Sequence, residues 1–513
     1  MGLRLSKTTV RAIEDRPDGA KTKRTPKKRD DKRMRLLAFA LVVAAAVVII
    51  SLSLYLRLQL DADSITQDTE AALPFVIMLL ISVAAAAASV LGLCFYLFQN
   101  ENELVRTPKN LLIVMSMLSL GALLSLLTTL VSGCFSMMLL AAILSSVLVD
   151  RRAAYAVTLS GALIGGFLAF SPVFNAESGS YIADAWIPLG VALAQFAGGF
   201  AAIYTIKPKY GRMAPIVSGL AGGLASALVF LCVQAVASRS FEGIVMPVLW
   251  QFGSGIICGV VATGLMPIFE IVFDVATDSR LNELMNNNSP LIKRLMVEAP
   301  GTYHHSMLVS SLAETAAELI GANSLLCKTA GYYHDVGKLR SPIHFIENQR
   351  GVNIHDTLTP IESAERIIAH RKDGVTLLTK NKLPSDVIRI CAEHHGNSTV
   401  MYFYNKAIQQ ANGAPVNEDD YRYKASKPSS KEAGILMLAD CCEAAVRSLK
   451  DQNRESIEAK VRDVISAIWL KRDGQLSECP LTARDVKVIE ESFVNTLTAQ
   501  YHERIEYPDP EDY

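Results

Sequence analysis

Histidine and aspartate are the residues through which this chain could do chemistry. Eight of the nine histidines fall between residues 304 and 395, as His304-His305, His334-Asp335, His344, His355, His370 and His394-His395. A further carboxylate, Asp440, stands in the apolar run LMLADCCEAA. Imidazole nitrogen and carboxylate oxygen together suit iron, manganese, zinc or nickel better than magnesium alone. A solvated, histidine-rich surface is the alternative. Two His-His pairs and a His-Asp pair at predicted helix ends, followed by a downstream aspartate, fit a metal centre instead.

The segments around these residues read as helices. Apolar residues recur with helical period over 302–320, 324–335, 360–371, 384–395, 399–411, 430–450, 454–472 and 483–504. Alternating strand patterns are almost absent. Residues 412–429 are polar and contain proline, and read as a loop. Upstream, 274–300 reads as a polar helical connector broken at Asn286-Asn287-Asn288-Ser289-Pro290. The expected organisation is a basic tail over 1–35, a transmembrane domain over 36–273, this connector, and an all-α catalytic domain over 301–513.

Composition supports the membrane half. Half of the 513 residues are hydrophobic, 19% are charged, and mean hydropathy is +0.27. That excludes a mainly disordered chain and speaks against a wholly soluble one. Lys plus Arg equals Asp plus Glu at 50 each, so net charge names no polyanionic partner. The first 35 residues carry thirteen Lys or Arg against five Asp or Glu, without aromatic interleaving. They read as a cytoplasmic tail, with no nucleic-acid polymer as partner.

At about 20 residues per crossing, spans are expected near 36–58, 73–98, 110–131, 134–149, 153–172, 185–206, 213–236 and 245–273. The pair over 110–149 has a re-entrant alternative. Arg106, Lys109, Arg151, Arg152, Lys207, Lys209 and Arg212 fall in alternate loops. That pattern places both termini in the cytoplasm of a multi-pass cell-membrane protein. Arg57 is expected to snorkel at the outer end of the first span. Glu270 lies at the cytoplasmic end of the last, and the span centres lack charge, which speaks against a transporter. Gly198-Gly199 and Gly222-Gly223 are expected at close helix contacts. Nine cysteines without a CxxC pair fit a reduced compartment.

The strings GTYHHSMLVSSLAE, GYYHDVGKL, FIENQ, AEHHGNS and ILMLADCCEAAVRSL together resemble the HD-domain phosphohydrolases, and more narrowly the seven-transmembrane HD receptors. The His-Asp dipeptide alone is weak; the ordered set is specific. The resemblance implies two bound divalent metals, manganese or iron. It selects His305 over His304, because the first ligand stands 29 residues before the His-Asp pair. It implies His305, His334 and Asp440 at one metal and His370, His394 and His395 at the other, with Asp335 bridging both. It gives His344 no place. Two metals about 3.5–4 Å apart activate a water that attacks phosphorus in line. Lys338, three residues after Asp335, adds a cation at the phosphate or is an exposed helix-end lysine.

The resemblance further implies a membrane-anchored cyclic di-AMP phosphodiesterase that yields linear pApA, and the order of the chain suggests regulation by its spans through the 274–300 connector. It leaves homodimerisation open. No GYP follows His394-His395, as cyclic di-GMP relatives would have. The aromatic stretches Tyr402-Phe403-Tyr404 and Tyr421-Arg422-Tyr423 stack on adenine or belong to the core. Rival readings are a hydrolase of cyclic di-GMP, a dNTP or a guanosine polyphosphate, and a non-catalytic nucleotide receptor. The chain departs from the family in having only about fifteen residues, Leu60 to Pro74, where relatives place a large extracellular domain. It also departs at Ser341-Pro342-Ile343-His344, before FIENQ.

Overall fold

A computed structural model describes residues 27–62, 72–100, 107–170, 172–175, 180–183, 186–238, 243–349, 351, 353–471 and 474–501. Residues 1–26 of the expected tail over 1–35, and residues 63–71 and 101–106, lie outside the described residues, whereas 27–35 belong to the first described helix. The chain divides into two compact units, Met1–Thr277 and Asp278–Tyr513.

The first unit contains α1 (Lys27–Ala62), α2 (Ala72–Asn100), α3 (Pro108–Thr129), α4 (Met138–Leu148), α5 (Arg151–Leu168), α6 (Trp186–Thr205), α7 (Ala214–Ser238) and α8 (Val245–Val272). Strands β1 (Pro172–Asn175) and β2 (Ser180–Ala183) form an antiparallel hairpin between α5 and α6. Six helical stretches among the described residues are long and apolar enough to cross a bilayer: Ala40–Arg57, Leu80–Leu97, Pro108–Thr129, Trp186–Thr205, Tyr210–Ala237 and Val245–Val272.

The expected spans over 134–149 and 153–172 are shorter in the structure. Helix α4 has 11 residues, about 16 Å of rise against a hydrocarbon core of about 30 Å. Its Met138–Ser145 face is buried all round, as in a helix enclosed by others. Helix α5 stops at Leu168, and Pro172, which cannot continue a helix, opens the hairpin instead.

Between α3 and α4 the chain is non-helical, and Cys134 to Met137 are buried. Buried irregular backbone in a membrane unit requires partners within the protein, and polar side chains supply them. Gln251 Nε2 donates to the Cys134 carbonyl at 2.7 Å, and Gln251 Oε1 accepts from Gln195 Nε2 at 3.2 Å. Thr128 Oγ1 donates to the Phe135 carbonyl, and Met137 N–H donates to Ser125 Oγ at 2.8 Å.

Arg57 does not snorkel outward. It is buried, and its Nε donates to the Leu168 carbonyl at the end of α5, at 3.1 Å. Glu270 is likewise buried and accepts from Arg212 Nη1 at 2.7 Å and from the Thr277 hydroxyl. The paired glycines mark close helix contacts: a Cβ at Gly198 would sit 2.8 Å from the Gly222 carbonyl oxygen. A Cβ at Gly259 would sit 2.7 Å from the Pro215 carbonyl oxygen, so α7 and α8 also meet backbone to backbone.

Among the described residues, the second unit is all α apart from short 3₁₀ turns, one π turn and an isolated bridge. It contains α9 (Asp278–Leu284), α10 (Pro290–Glu298), α11 (Pro300–Leu319), α12 (Ser324–Tyr333), α13 (Pro360–Lys380), α14 (Ser385–Glu393), α15 (Met401–Gln410), α16 (Lys431–Arg447), α17 (Arg454–Ser466) and α18 (Ala483–Gln500). Thr359 and Glu362 form a capping box at the start of α13. This helix runs nine residues past the expected end, because Val375 and Leu378 continue its buried face. Helix α16 buries nearly every residue from Ala433 to Cys442 and forms the centre of the unit.

We predict that Gln251→Leu, which leaves the Cys134 carbonyl and Gln195 without their partner, destabilises the solubilised protein by about 1–3 kcal/mol. The measurement is the thermal unfolding midpoint in detergent. An unchanged midpoint would show that the irregular segment is held by something else.

Candidate metal centre

Five helices and one 3₁₀ turn deliver the histidines and aspartates to one point. His305 lies on the buried face of α11, one turn after Thr302. His334 ends α12, and Asp335 begins the 3₁₀ turn Val336–Arg340. His370 projects from the middle of α13. His394 caps α14, and His395 follows it. Asp440 is on α16. Two glycines permit this convergence. A Cβ on Gly337 would run into the His370 carbonyl, so only glycine lets the 3₁₀ turn lie against α13. Gly396 turns the chain after His395 at φ +55, where a side chain would also meet Gln475.

Two donor groups share one carboxylate. His305, His334 and Asp335 form one, and Asp335, His370, His394 and His395 the other; within each, one donor atom per residue lies within 4.8 Å of every other. Asp335 Oδ2 lies 3.2 Å from His334 Nε2 and 3.6 Å from His305 Nε2. Its Oδ1 lies 3.3 Å from His370 Nε2 and 4.0 Å from His394 Nε2. Asp440 joins the first group through Oδ1, 3.0 Å from His305 Nε2, and its Oδ2 stands 3.7 Å from His395 Nδ1.

The residues fit a metal. His334, His370 and His394 each place Nδ1 against the carbonyl three residues earlier: Gly331 at 2.8 Å, Ile367 at 2.5 Å and Cys391 at 2.6 Å. A carbonyl only accepts, so Nδ1 carries the hydrogen and Nε2 presents its lone pair. All three Nε2 atoms, together with Asp335 Oδ1, are buried without a hydrogen-bond partner. Four orphaned donor atoms turned toward one point are costly unless a cation satisfies them.

Electrostatics keeps the two carboxylates ionised and three of the imidazoles neutral, whereas against the pull of burial Asp335 and Asp440 raise His334 to about 10, and Asp440 and Glu443 raise His305. Burial opposes ionisation of Asp335, but Lys338, His334 and His370 outweigh it and hold its carboxyl well below the usual range. Burial likewise works against Asp440, and hydrogen bonds from His305 and His334 prevail. Burial lowers His370 and His394, and takes His395 down to about 3, so all three stay neutral.

The centre opens into a cavity of about 560 Å³, lined by His305, Asp335, Lys338, Phe345, Ile346, Glu347, His370, His395, Tyr423, Asp440 and Arg447 among others. Lys338 is not an exposed helix-end lysine. Its side chain is 12% exposed, and Nζ lies 2.8 Å from Asp335 Oδ2 and 2.7 Å from Glu347 Oε1. His304 is exposed on α11. His344 sits apart, its carbonyl accepting from His355 Nε2. Of the two aromatic stretches, Tyr423 alone lines the cavity, its ring 4.4 Å from that of His395. Phe403 and Tyr421 belong to a separate apolar cluster, and Tyr402 is exposed.

Three participants were not singled out in the sequence. Glu443 accepts from or donates to His305 Nδ1 at 2.5 Å, depending on where the shared proton sits. Glu347 pairs with Lys338 and accepts from the Thr302 hydroxyl at 3.0 Å. Arg447 lines the cavity two turns after Asp440. The available signal was helical spacing: residues 440, 443 and 447 share one face.

A family model described as a 7TM receptor with intracellular HD hydrolase matches residues 76–277, and the HD-domain model matches 302–445. The chain thus matches a 7TM region and an HD domain in turn. Among the described residues, the matched range 76–277 holds α2 through α8. With its six long apolar helices, it is a multi-pass membrane protein. It is 39% identical over 328 residues to the cyclic-di-AMP phosphodiesterase PgpH of Listeria monocytogenes serotype 1/2a strain 10403S, covering 63% of this chain and 45% of that protein. It is 40% identical over 314 residues to PgpH of Bacillus subtilis strain 168, covering 61% and 44%. The chain thus spans under half the length of these curated relatives. The crystal structure of the L. monocytogenes PgpH HD domain with cyclic di-AMP is 44% identical and covers 42% of this chain and 100% of that one, at a TM-score of 0.40.

Gly337→Ala is expected to push the 3₁₀ turn off α13, cost about 1–3 kcal/mol and separate Asp335 from His370. Metal retained per chain, by elemental analysis after gel filtration, should fall well below that of the parent. Equal retention would show that the close approach is dispensable.

Proposed function

We propose that this chain is a membrane-anchored phosphodiesterase that hydrolyses cyclic di-AMP to linear pApA at a two-metal centre. The observation that carries the reading is the Asp335 carboxylate, with one oxygen facing His305 and His334 and the other facing His370 and His394. The names of the two relatives support the substrate. His305, His334, Asp335 and Asp440 would hold one divalent ion, and Asp335, His370, His394 and His395 the other, with manganese or iron as the occupant.

Such a pair supplies a water-derived nucleophile at neutral pH and positive charge for the phosphoryl oxygens. The protein's own groups do the rest. Lys338, fixed between Asp335 and Glu347, adds a cation at the mouth of the cavity, where an anionic diester must settle. Tyr423 walls the His395 side and Phe345 the His370 side, both as flat apolar surfaces. The basic loops support an orientation with both termini and the catalytic unit in the cytoplasm.

The connector offers a route for regulation. Tyr333, fully buried and directly before His334, donates its hydroxyl to the Leu284 carbonyl at 2.6 Å and lies 2.9 Å from Ser289 Oγ. A shift of the segment between α9 and α10 is therefore felt one residue from the centre.

Two measurements test this reading. Purified full-length protein, reconstituted with manganese or iron, should convert cyclic di-AMP to pApA, act slowly on cyclic di-GMP, and lose activity on Asp335→Ala. Turnover of cyclic di-GMP alone, or of neither, sinks the substrate assignment. For regulation, deleting residues 1–273 should change activity or its response to conditions. No change in either would dismiss the connector route.

A further inference from the structure

The donor sets at the two positions differ in charge, and so does what stands behind them. His334, His370 and His394 each lean on a neutral carbonyl of their own helix. His305 leans on a carboxylate: Glu443 Oε2 is 2.5 Å from its Nδ1, and the Glu443 side chain is fully buried. A carboxylate behind an imidazole fixes the ring and makes its other nitrogen a stronger donor.

The front of the two positions is unequal in the same direction. The His305 and His334 position sees both Asp335 and Asp440, while the His370 and His394 position sees three neutral imidazoles and the shared Asp335. Lys338 touches Asp335 Oδ2 but is itself paired with Glu347. Arg447 Nη1, 3.5 Å from Glu443 Oε1 and partly exposed, tempers that carboxylate without reaching His305.

We propose that Glu443 is a positioning residue that makes the two metal positions unequal, so that the position of His305, His334, Asp335 and Asp440 loads first and more tightly. This rests on the two-metal reading above. Hard divalent ions favour the more anionic oxygen-rich set, and removing such an outer carboxylate typically weakens metal binding 10–100-fold.

The test is calorimetric titration of manganese into the metal-stripped full-length protein in detergent, with stoichiometry checked by elemental analysis. The parent should bind two ions in two resolved steps. Glu443→Gln, nearly isosteric, should weaken the tighter step about 10–100-fold and leave the weaker one within about twofold. His370→Gln should remove the weaker step and spare the tighter, and it reports on loading order even where Glu443→Gln fails to fold. Equal weakening of both steps, weakening of only the weaker one, or loss of the tighter step in His370→Gln would overturn the assignment. A parent that binds fewer than two ions brings down the two-metal reading, and this inference with it.

Discussion

The second unit depends on one buried carboxylate that faces two ways. Asp335 is 2% exposed and is not aligned for a simple ion pair: its oxygens are shared among four imidazoles and Lys338. Such a group is tolerable only if every neighbour is fixed. The fold supplies that fixity by ending α12 at His334, by allowing the following turn to touch α13 only through Gly337, and by tying three imidazoles to carbonyls of their own helices. Each of these is a backbone device. The Nε2 atoms of His334, His370 and His394 therefore hold their places without depending on flexible side chains.

The membrane unit meets its main constraint with neutral polar groups. Irregular backbone around Cys134 to Met137 is tolerated because Gln251, Thr128 and Ser125 reach it. Charge is confined to places where a helix ends: Arg57 at the last turn of α5, and Arg212 with Glu270 near the end of α8. An amide or hydroxyl in hydrocarbon costs far less than an ion, and it serves a carbonyl nearly as well.

The spacing of His305, His334-Asp335, His370, His394-His395 and Asp440 was legible because ligand types at helix ends leave a pattern that no core packing would produce. The helices around them were legible from their apolar period. Less was legible where packing decides. Helix α4 is as apolar as a span, and composition does not separate a short enclosed helix from a crossing. Arg57 read as an interfacial cation because its partner lies 111 residues away. Nothing in the sequence singled out Glu443 or Glu347. Only the fold shows them turned inward against His305 and Lys338.

A metal centre also sets how large a regulatory signal must be. Metal–ligand distances tolerate only about 0.2 Å. Tyr333 is anchored on one side to the chain between α9 and α10 and continues on the other into His334. The neighbouring path is as short: Thr302, at the start of α11, holds Glu347, which holds Lys338 against Asp335. Both paths are hydrogen-bonded and buried or half-buried, so little displacement is lost in slack side chains. On the proposed regulatory route, a sub-ångström movement of the connector would be enough to change the Asp335 geometry, without a large hinge motion.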